Sequence, residues 1–411
     1  MRSLAPLYAA AGATHAADQL SLAALPIVAV VVFKADAATI GWLVALQSAA
    51  WLLVSLPGGI LVDRLPRGPV LRLSQAIACL AFVAAAFAAW HGWLPLLAGA
   101  VFLAATGTVM FVLTTNSITP ALVGRERLTV TNARLELARA AVTLAAPLIA
   151  VQMVRVAPVA VYLLAAGMAL TAFAVLARLA VPHAGAQPGP RPSLARLLGE
   201  GARFVLDVPV LRAIALCALF WNFAFFALMA VFLPYVLAQA GLDLQQAGLA
   251  QSAYGAGLIA GALGAGPILA RLPASLVLVG GPALSVVAAG AMLLAARLPG
   301  VALPALSFFL VGFGPMLWLV CQTSVRQIVT PSLLLGRVGG VIQAAIYGIR
   351  PLGALAGGTV AATLGFSAAL WLVLACFMLS FAAALFSPLV RLGQLARHEP
   401  VQPVTSSQPA G

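Results

Sequence analysis

One stretch decides the fold of this chain: Pro57-Gly58-Gly59-Ile60-Leu61-Val62-Asp63-Arg64-Leu65-Pro66-Arg67-Gly68. Here a long apolar run stops and charged residues appear, which is typical of a cytosolic turn between two membrane helices. A fragment of the stretch returns half a chain later, because Gly59 to Pro66 aligns with Gly266 to Pro273 at an offset of 207. This match indicates that the chain consists of two related halves.

Two further matches support the duplication. They follow in the same order at nearly the same offset: Leu25-Pro26 with Leu233-Pro234, and Thr119-Pro120 with Thr330-Pro331. In the last register Asn132 corresponds to Gln343, and Arg139 corresponds to Arg350. Parallel repeats of this kind are typical of transporters.

The composition excludes a soluble domain. Hydrophobic residues make up 63% of the 411 residues and charged residues only 8%, and the mean hydropathy is +1.10. A water-facing surface needs far more charge. Twelve apolar runs reach about 20 residues, the length that a helix needs to cross a bilayer. We therefore predict an all-α membrane protein with twelve transmembrane helices in two six-helix halves.

The predicted boundaries divide the chain into four parts. The first half, 1–181, and the second half, 211–390, enclose a cytosolic linker at 182–210, in which Ser193 caps a short amphipathic helix lying in the membrane interface. The polar tail, 391–411, is expected to be disordered. The membrane helices are predicted at 5–33, 40–62, 70–90, 94–117, 129–152, 158–180, 211–237, 247–269, 274–296, 301–326, 338–362 and 367–389.

The charge distribution predicts the orientation. The net charge of +13 does not indicate a nucleic-acid partner, because the arginines lie in short loops and form no contiguous basic face. They follow the positive-inside rule instead, which places both termini in the cytosol and the chain in the plasma (inner) membrane. The alternate loops hold only Lys34, Arg155 and Arg297, whereas the other loops and tails carry Arg64, Arg67, Arg72, Arg125, Arg127, Arg191, Arg196, Arg203, Arg271, Arg337, Arg391 and Arg397.

Motifs for other kinds of chemistry are absent from the sequence. The four cysteines lie in apolar runs without CxxC spacing, so no disulfide, metal site or cofactor is predicted. The single lysine, Lys34, stands in no P-loop, which argues against an ATP-driven pump, although a separate ATPase subunit stays open. There is no HExxH and no GxSxG motif, so we predict that the chain is not an enzyme.

Polar residues inside the apolar runs are distributed unevenly. They concentrate in helices 1, 2, 4, 5, 7, 8, 10 and 11, whereas helices 3, 6, 9 and 12 have almost none. Because polar groups in hydrocarbon are costly unless they face protein or water, we expect every third helix to face lipid and the others to line a central path. The candidate pathway residues are His15, Gln19, Asn116, Asn132, Arg139, Asn222, Gln322, Gln343, Tyr347 and Arg350.

The charged pathway residues allow two interpretations. Asp18 and Glu136 are candidates for proton coupling, since an intramembrane carboxylate indicates function. Alternatively, Asp18 pairs with His15 and Glu136 with Arg139 along their own helices. Likewise Arg139 and Arg350 either balance the two acids or bind an anionic substrate with the planar guanidinium.

The signature turn resembles that of the major facilitator superfamily, G-x-L-x-D-R-x-G-R-R. The resemblance to this family covers essentially the whole chain. Gly59, Leu61, Asp63, Arg64 and Arg67 match, while Pro66 stands where the family usually has Gly. The resemblance implies a secondary transporter that works by alternating access. It also implies that Asp63 latches onto the positive N-terminal end of helix 11, the alternative being a merely solvated turn.

Three segments resemble, within that family, the drug and siderophore exporters of the enterobactin-exporter and macrolide-efflux types: Thr119 to Asn132, Gly201 to Arg212, and Arg326 to Gly357. The resemblance implies proton-coupled export of a small molecule, with protons and the lipid bilayer as further partners. An importer or facilitator, or a non-transporting sensor or scaffold, are the alternatives. The cargo and the oligomeric state stay open.

Overall fold

The computed structural model describes residues 5–123, 128–178, 194–298, 300–331 and 334–393. Side chains are described throughout these ranges except at 56, 63, 120–123, 128–137, 194–195 and 197. This part of the chain is almost entirely helical: α1 Ala5–Phe33, α2 Ala37–Arg64, α3 Arg67–His91, α4 Leu94–Val123, α5 Leu128–Val156, α6 Ala160–Ala177, α7 Leu194–Asp207, α8 Pro209–Ala238, α9 Leu244–Arg271, α10 Ala274–Leu294, α11 Ala302–Val329, α12 Leu335–Leu364 and α13 Phe366–Leu385.

The twelve predicted membrane helices are confirmed. In the described ranges every helix except α7 is long and apolar enough to cross a membrane. The ends differ by a few residues: α2 begins at Ala37 rather than 40 because Asp36 caps it, and α13 ends at Leu385, followed by a short 3-10 helix, Pro388–Arg391, rather than continuing to 389.

The amphipathic helix expected after Ser193 corresponds to α7, and its place in the membrane interface stays a prediction. The flexible linker expected at 182–192 lies outside the described residues. The same is true of the tail beyond Gly393.

The helices alternate in direction, so the molecule has two ends. We call the end with the signature turn, α7 and the α9–α10 turn the basic end, and the opposite end, with Asp36 and Arg155, the far end. If the positive-inside prediction holds, the basic end faces the cytosol.

The repeat is visible in the helix caps. At the far end, the Asp36 side chain accepts a hydrogen bond from the Thr39 amide to begin α2, and Asp243 accepts one from the Gln246 amide to begin α9. The bonds to Thr39 lower the pKa of Asp36. At the basic end, Leu65-Pro66 and Leu272-Pro273 form equivalent two-residue breaks. All these pairs share the offset of 207, so the duplication extends to the capping chemistry.

The two halves meet mainly through α2 packed on α12 and α5 packed on α9, with smaller contacts of α8 with α1 and α2. α3, α6, α10 and α13 make their main contacts within their own halves, and their exposure to lipid stays a prediction. At the far end α2 and α12 approach closely, because a Cβ on Gly41 would lie 2.7 Å from the Ala354 carbonyl oxygen and 3.0 Å from Gly358 Cα. On the other side of the molecule, Gly255 of α9 packs against Leu144 of α5.

The contact between α2 and α12 includes an aromatic pair near the middle of both helices, Trp51 and Tyr347, whose ring centroids lie 5.0 Å apart. Closer to the basic end, a Cβ on Gly59, Gly339 or Gly340 would meet open space. Among the described residues, α2 and α12 therefore pack closely at the far end and leave open space around these glycines at the basic end.

The basic end of α12 is held by α7 instead. Arg337 forms an ion pair with Glu200, and a Cβ on Gly201 would lie 2.7 Å from the Arg337 carbonyl oxygen. Val205 of α7 packs with Val338 of α12 in a small apolar cluster. This contact ties the segment between the halves to the second half.

Candidate functional site

Asp18 is the acidic group of the central region. It lies on α1 and is partly exposed. Gln19 Nε2 donates a hydrogen bond to Asp18 Oδ2 at 3.4 Å, Thr108 of α4 is within hydrogen-bonding reach, and Arg139 of α5 acts on the carboxylate electrostatically. The carboxylate thus faces polar groups from three helices of the first half.

His15 lies one turn before Asp18 and also feels the charge of Arg139. Although His15 and Asp18 are both described, no hydrogen bond or ion pair joins them, so the alternative of a simple His15–Asp18 pair is not formed. Instead, Thr143 links α5 to α1, because its hydroxyl lies 3.2 Å from Gln19 Oε1 and 2.9 Å from the Arg139 carbonyl oxygen. This network joins α1 and α5, two of the polar helices of the first half.

Arg350 is the basic group of the second half. It lies in the middle of α12 and is partly exposed. Its Nε donates to Asn222 Oδ1 of α8 at 3.0 Å, and its guanidinium carbon lies 5.1 Å from the ring centroid of Phe226 and 5.0 Å from that of Tyr347. The buried Asn222 amide and two ring faces therefore fix the orientation of this cation.

The two groups share one region. Arg139 is exposed, and its charge acts on Arg350 and on Tyr254 of α9, which also feels Arg350. Tyr254 packs against Phe225, with 5.2 Å between the two ring centroids. Arg139 and Arg350, which occupy corresponding positions in the repeat, thus lie near enough to act on each other electrostatically across the halves.

The other predicted pathway residues lie elsewhere. Asn116 on α4 and Gln343 on α12 are exposed on the basic side of this region, while Gln322 is buried in α11 and bonded to Thr323 at 3.0 Å. The side chains of Asn132, Glu136 and Asp63 lie outside the described residues, so the pairing of Glu136 and the Asp63 latch stay predictions. Of the signature turn, Gly59 faces open space, Arg64 is exposed, and Arg67 is partly buried.

Sequence reasoning missed four contributors: Trp51, Thr108, Thr143 and Phe226. Trp51 follows Gln47 and Ser48 by four and three residues, the spacing that places it on the same helix face, so this signal was present. Nothing distinguishes Phe226 within an aromatic-rich run. In the described ranges no group of three His, Cys, Asp or Glu side chains could hold a metal.

The far end is closed over the central region by apolar side chains. Around a narrow gap lie Ile27 of α1, Val151 of α5, Phe232 of α8 and Leu244 of α9. Gln251 adds one polar group to this layer. Four helices from both halves therefore bring apolar side chains together at the far end.

Two six-helix halves with polar and charged side chains in their central region are the architecture of a membrane carrier. The model of the Major Facilitator Superfamily matches residues 7–243, more than half of the chain, so this chain belongs to the Major Facilitator Superfamily. No curated protein matches the sequence significantly.

Solved structures share the fold across most of the chain. A POT family transporter in complex with 5-aminolevulinic acid is similar with a TM-score of 0.76 at 14% identity, over 94% of this chain and 96% of that one. The nucleoside transporter NupG is similar with a TM-score of 0.74 at 15% identity, over 94% of this chain and 98% of that one. A bacterial homologue of the iron transporter ferroportin in its inward-facing state has a TM-score of 0.70 at 17% identity, over 94% of this chain and 99% of that one.

Proposed function

We propose that this chain is a secondary active transporter that exports a small molecule by alternating access in exchange for protons. The observation that supports the proposal is the Asp18 carboxylate, which lies in a membrane helix beside Gln19, Thr108 and Arg139 of the first half. An intramembrane carboxylate in such a place is a natural proton carrier.

The packing suggests how a proton would act on the halves. Protonation of Asp18 removes the negative charge that faces Arg139 on α5, which weakens the electrostatic tie between α1 and α5. Because α5 also packs on α9 of the other half, this change reaches an interface that must open during transport. The coupling thus uses a bistable contact between the halves.

The exporter direction rests on the three segments that resemble drug and siderophore exporters. The similar solved structures do not decide it, since they include a nucleoside transporter and a ferroportin homologue. The second candidate is an importer or facilitator in the same fold. The polar groups that converge on the central region argue against a sensor or scaffold, which needs no cargo path.

The test measures accumulation in cells with and without the protein. The panel contains a catecholate siderophore, a macrolide, a lipophilic cation and an aromatic carboxylate, before and after a protonophore collapses the proton gradient. We expect lower accumulation of at least one compound in expressing cells, and loss of the difference after collapse. Higher accumulation would reverse the direction, and a difference that survives collapse would exclude proton coupling.

A further inference from the structure

Arg350 keeps unused hydrogen-bonding capacity. A guanidinium carries five N–H donors, and Asn222 takes only the one on Nε. The terminal nitrogens donate to no described protein group, and no described carboxylate lies within ion-pair distance. An intramembrane cation usually has an anionic partner. The described residues supply no such partner to the terminal nitrogens, so these nitrogens can bind an anionic ligand.

The orientation of Arg350 suits a planar acid. Asn222 accepts the hydrogen bond from Nε, and the guanidinium carbon lies 5.1 Å from the ring centroid of Phe226 and 5.0 Å from that of Tyr347. The edge formed by the terminal nitrogens stays available, and this is the edge that binds carboxylates with two parallel hydrogen bonds. Because the side chain is already ordered, little conformational entropy is lost on binding.

The surroundings of this edge are aromatic. Tyr347 contacts Trp51 across the halves at 5.0 Å with a tilt of 44°, and both rings are partly exposed. Trp51 lies on α2, which packs on α12. Exposed aromatic faces beside a fixed charge favour a ligand with a flat apolar body and one polar head.

The charges in this region favour an anion over a cation. Arg139 acts on Arg350 as a like charge, and an anion near Arg350 reduces that repulsion. The described acid of the region, Asp18, lies on the first half among Gln19, Thr108 and Arg139. A cationic ligand would therefore be repelled by Arg350 at the aromatic shelf, the surface formed by Phe226, Tyr347 and Trp51.

We propose that Arg350, Phe226, Tyr347 and Trp51 form a subsite for small aromatic carboxylates. The carboxylate binds the terminal nitrogens of Arg350, and the ring stacks on Tyr347 and Trp51. The proposal rests on the proposed transport function, which it deepens by naming a substrate class. It places the ligand against Arg350, Phe226 and Tyr347 of the second half and Trp51 of the first half, whereas Asp18 lies among Gln19, Thr108 and Arg139.

The experiment measures equilibrium binding of radiolabelled 2-naphthoate to the purified full-length protein, without any proton gradient. The competitors are 2-naphthamide, which lacks the charge, and cyclohexanecarboxylate, which lacks the aromatic ring. We expect naphthoate to bind with a Kd below about 1 mM and to be displaced only weakly by either competitor. No saturable binding, or equal displacement by 2-naphthamide, overturns the proposal even without any variant.

Variants locate the site. Arg350→Gln should weaken binding about 10- to 100-fold, because a charge-assisted bidentate contact is lost, and Trp51→Leu should weaken it several-fold. The matched control is Arg155→Gln, an exposed arginine at the far end bonded to Gln245, which should leave binding unchanged. Equal binding by Arg350→Gln and the wild type overturns the assignment. If Arg350→Gln fails to fold, Arg350→Lys serves instead, since lysine keeps the charge but loses the fork.

The outcomes separate this subsite from the proposed function. Loss of proton dependence with retained naphthoate binding contradicts only the coupling. Proton-dependent export of a cation, with no saturable naphthoate binding, contradicts only the subsite.

Discussion

The Thr143 hydroxyl shows what a single residue contributes to the polar network. It lies within hydrogen-bonding distance of Gln19 on α1 and of its own helix at Arg139. Thr143→Val keeps the shape and removes this link, so we expect transport to fall about 2- to 10-fold, the equivalent of one hydrogen bond. Initial transport rates at equal protein level provide the measurement.

The control for this prediction is Thr171→Val. Thr171 bonds only to the Gly167 carbonyl oxygen of its own helix and lies exposed on α6, so its replacement should leave transport unchanged. Equal rates for Thr143→Val and Thr171→Val would show that the link between α1 and α5 has no role in the cycle.

The charged part of the site was predictable residue by residue, because charge in an apolar run is conspicuous. Asp18, Arg139 and Arg350 all lie in the central region. Their partners were not predictable: helical spacing favoured His15 for Asp18, but the carboxylate faces Gln19 and Thr108 on two helices. The aromatic shelf was missed because Trp51 and Phe226 cost nothing in an apolar run and so do not stand out.

At the scale of helices, the close contact between α2 and α12 sets the balance between states. A Cβ on Gly358 would lie 2.9 Å from Gly41 Cα, so Gly358→Ala should strain only the state that is closed at the far end. Overpacking of this kind costs about 1–3 kcal/mol, which shifts the equilibrium about 5- to 150-fold towards opening at the far end.

The readout for this shift is the reactivity of a cysteine at Ala247, which is 1% exposed and lines the far-end closure. In a background without the native cysteines, an impermeant maleimide added at the far end should react faster in Gly358→Ala. Gly99→Ala, whose Cβ would meet nothing within 4 Å, should react like the parent. An unchanged rate in Gly358→Ala would contradict the closed state described for α2 and α12.

Helix number and type followed from hydropathy because each span must satisfy its backbone hydrogen bonds within itself. The exact helix ends did not follow from hydropathy, because they depend on local polar caps such as Asp36 and Ser387. The packing between the halves was not predictable at the residue level: Gly255 of α9 packs against Leu144 of α5, and Leu144 carries no signal of its own in an apolar run.

At the scale of the whole molecule, the repeat determines the architecture and the arginines predict the orientation. We expect both termini and the segment between the halves to be cytosolic. Tags at Gly411 and near Gly189 should therefore be shielded from an impermeant reagent in intact cells and become reactive after permeabilisation. Labelling of either tag in intact cells would invert the orientation and with it the assignment of the open end.

The central claim is that a transported compound and protons exchange through Asp18. The direct measurement uses inverted membrane vesicles with an acidified lumen and a compound identified in the accumulation panel. Its addition to wild-type vesicles should release protons from the lumen while the compound accumulates inside. Asp18→Asn should abolish both signals. Asp36→Asn, which replaces another aspartate and keeps an oxygen to cap α2, should retain them. Proton release and accumulation at the wild-type level in Asp18→Asn vesicles would contradict the account.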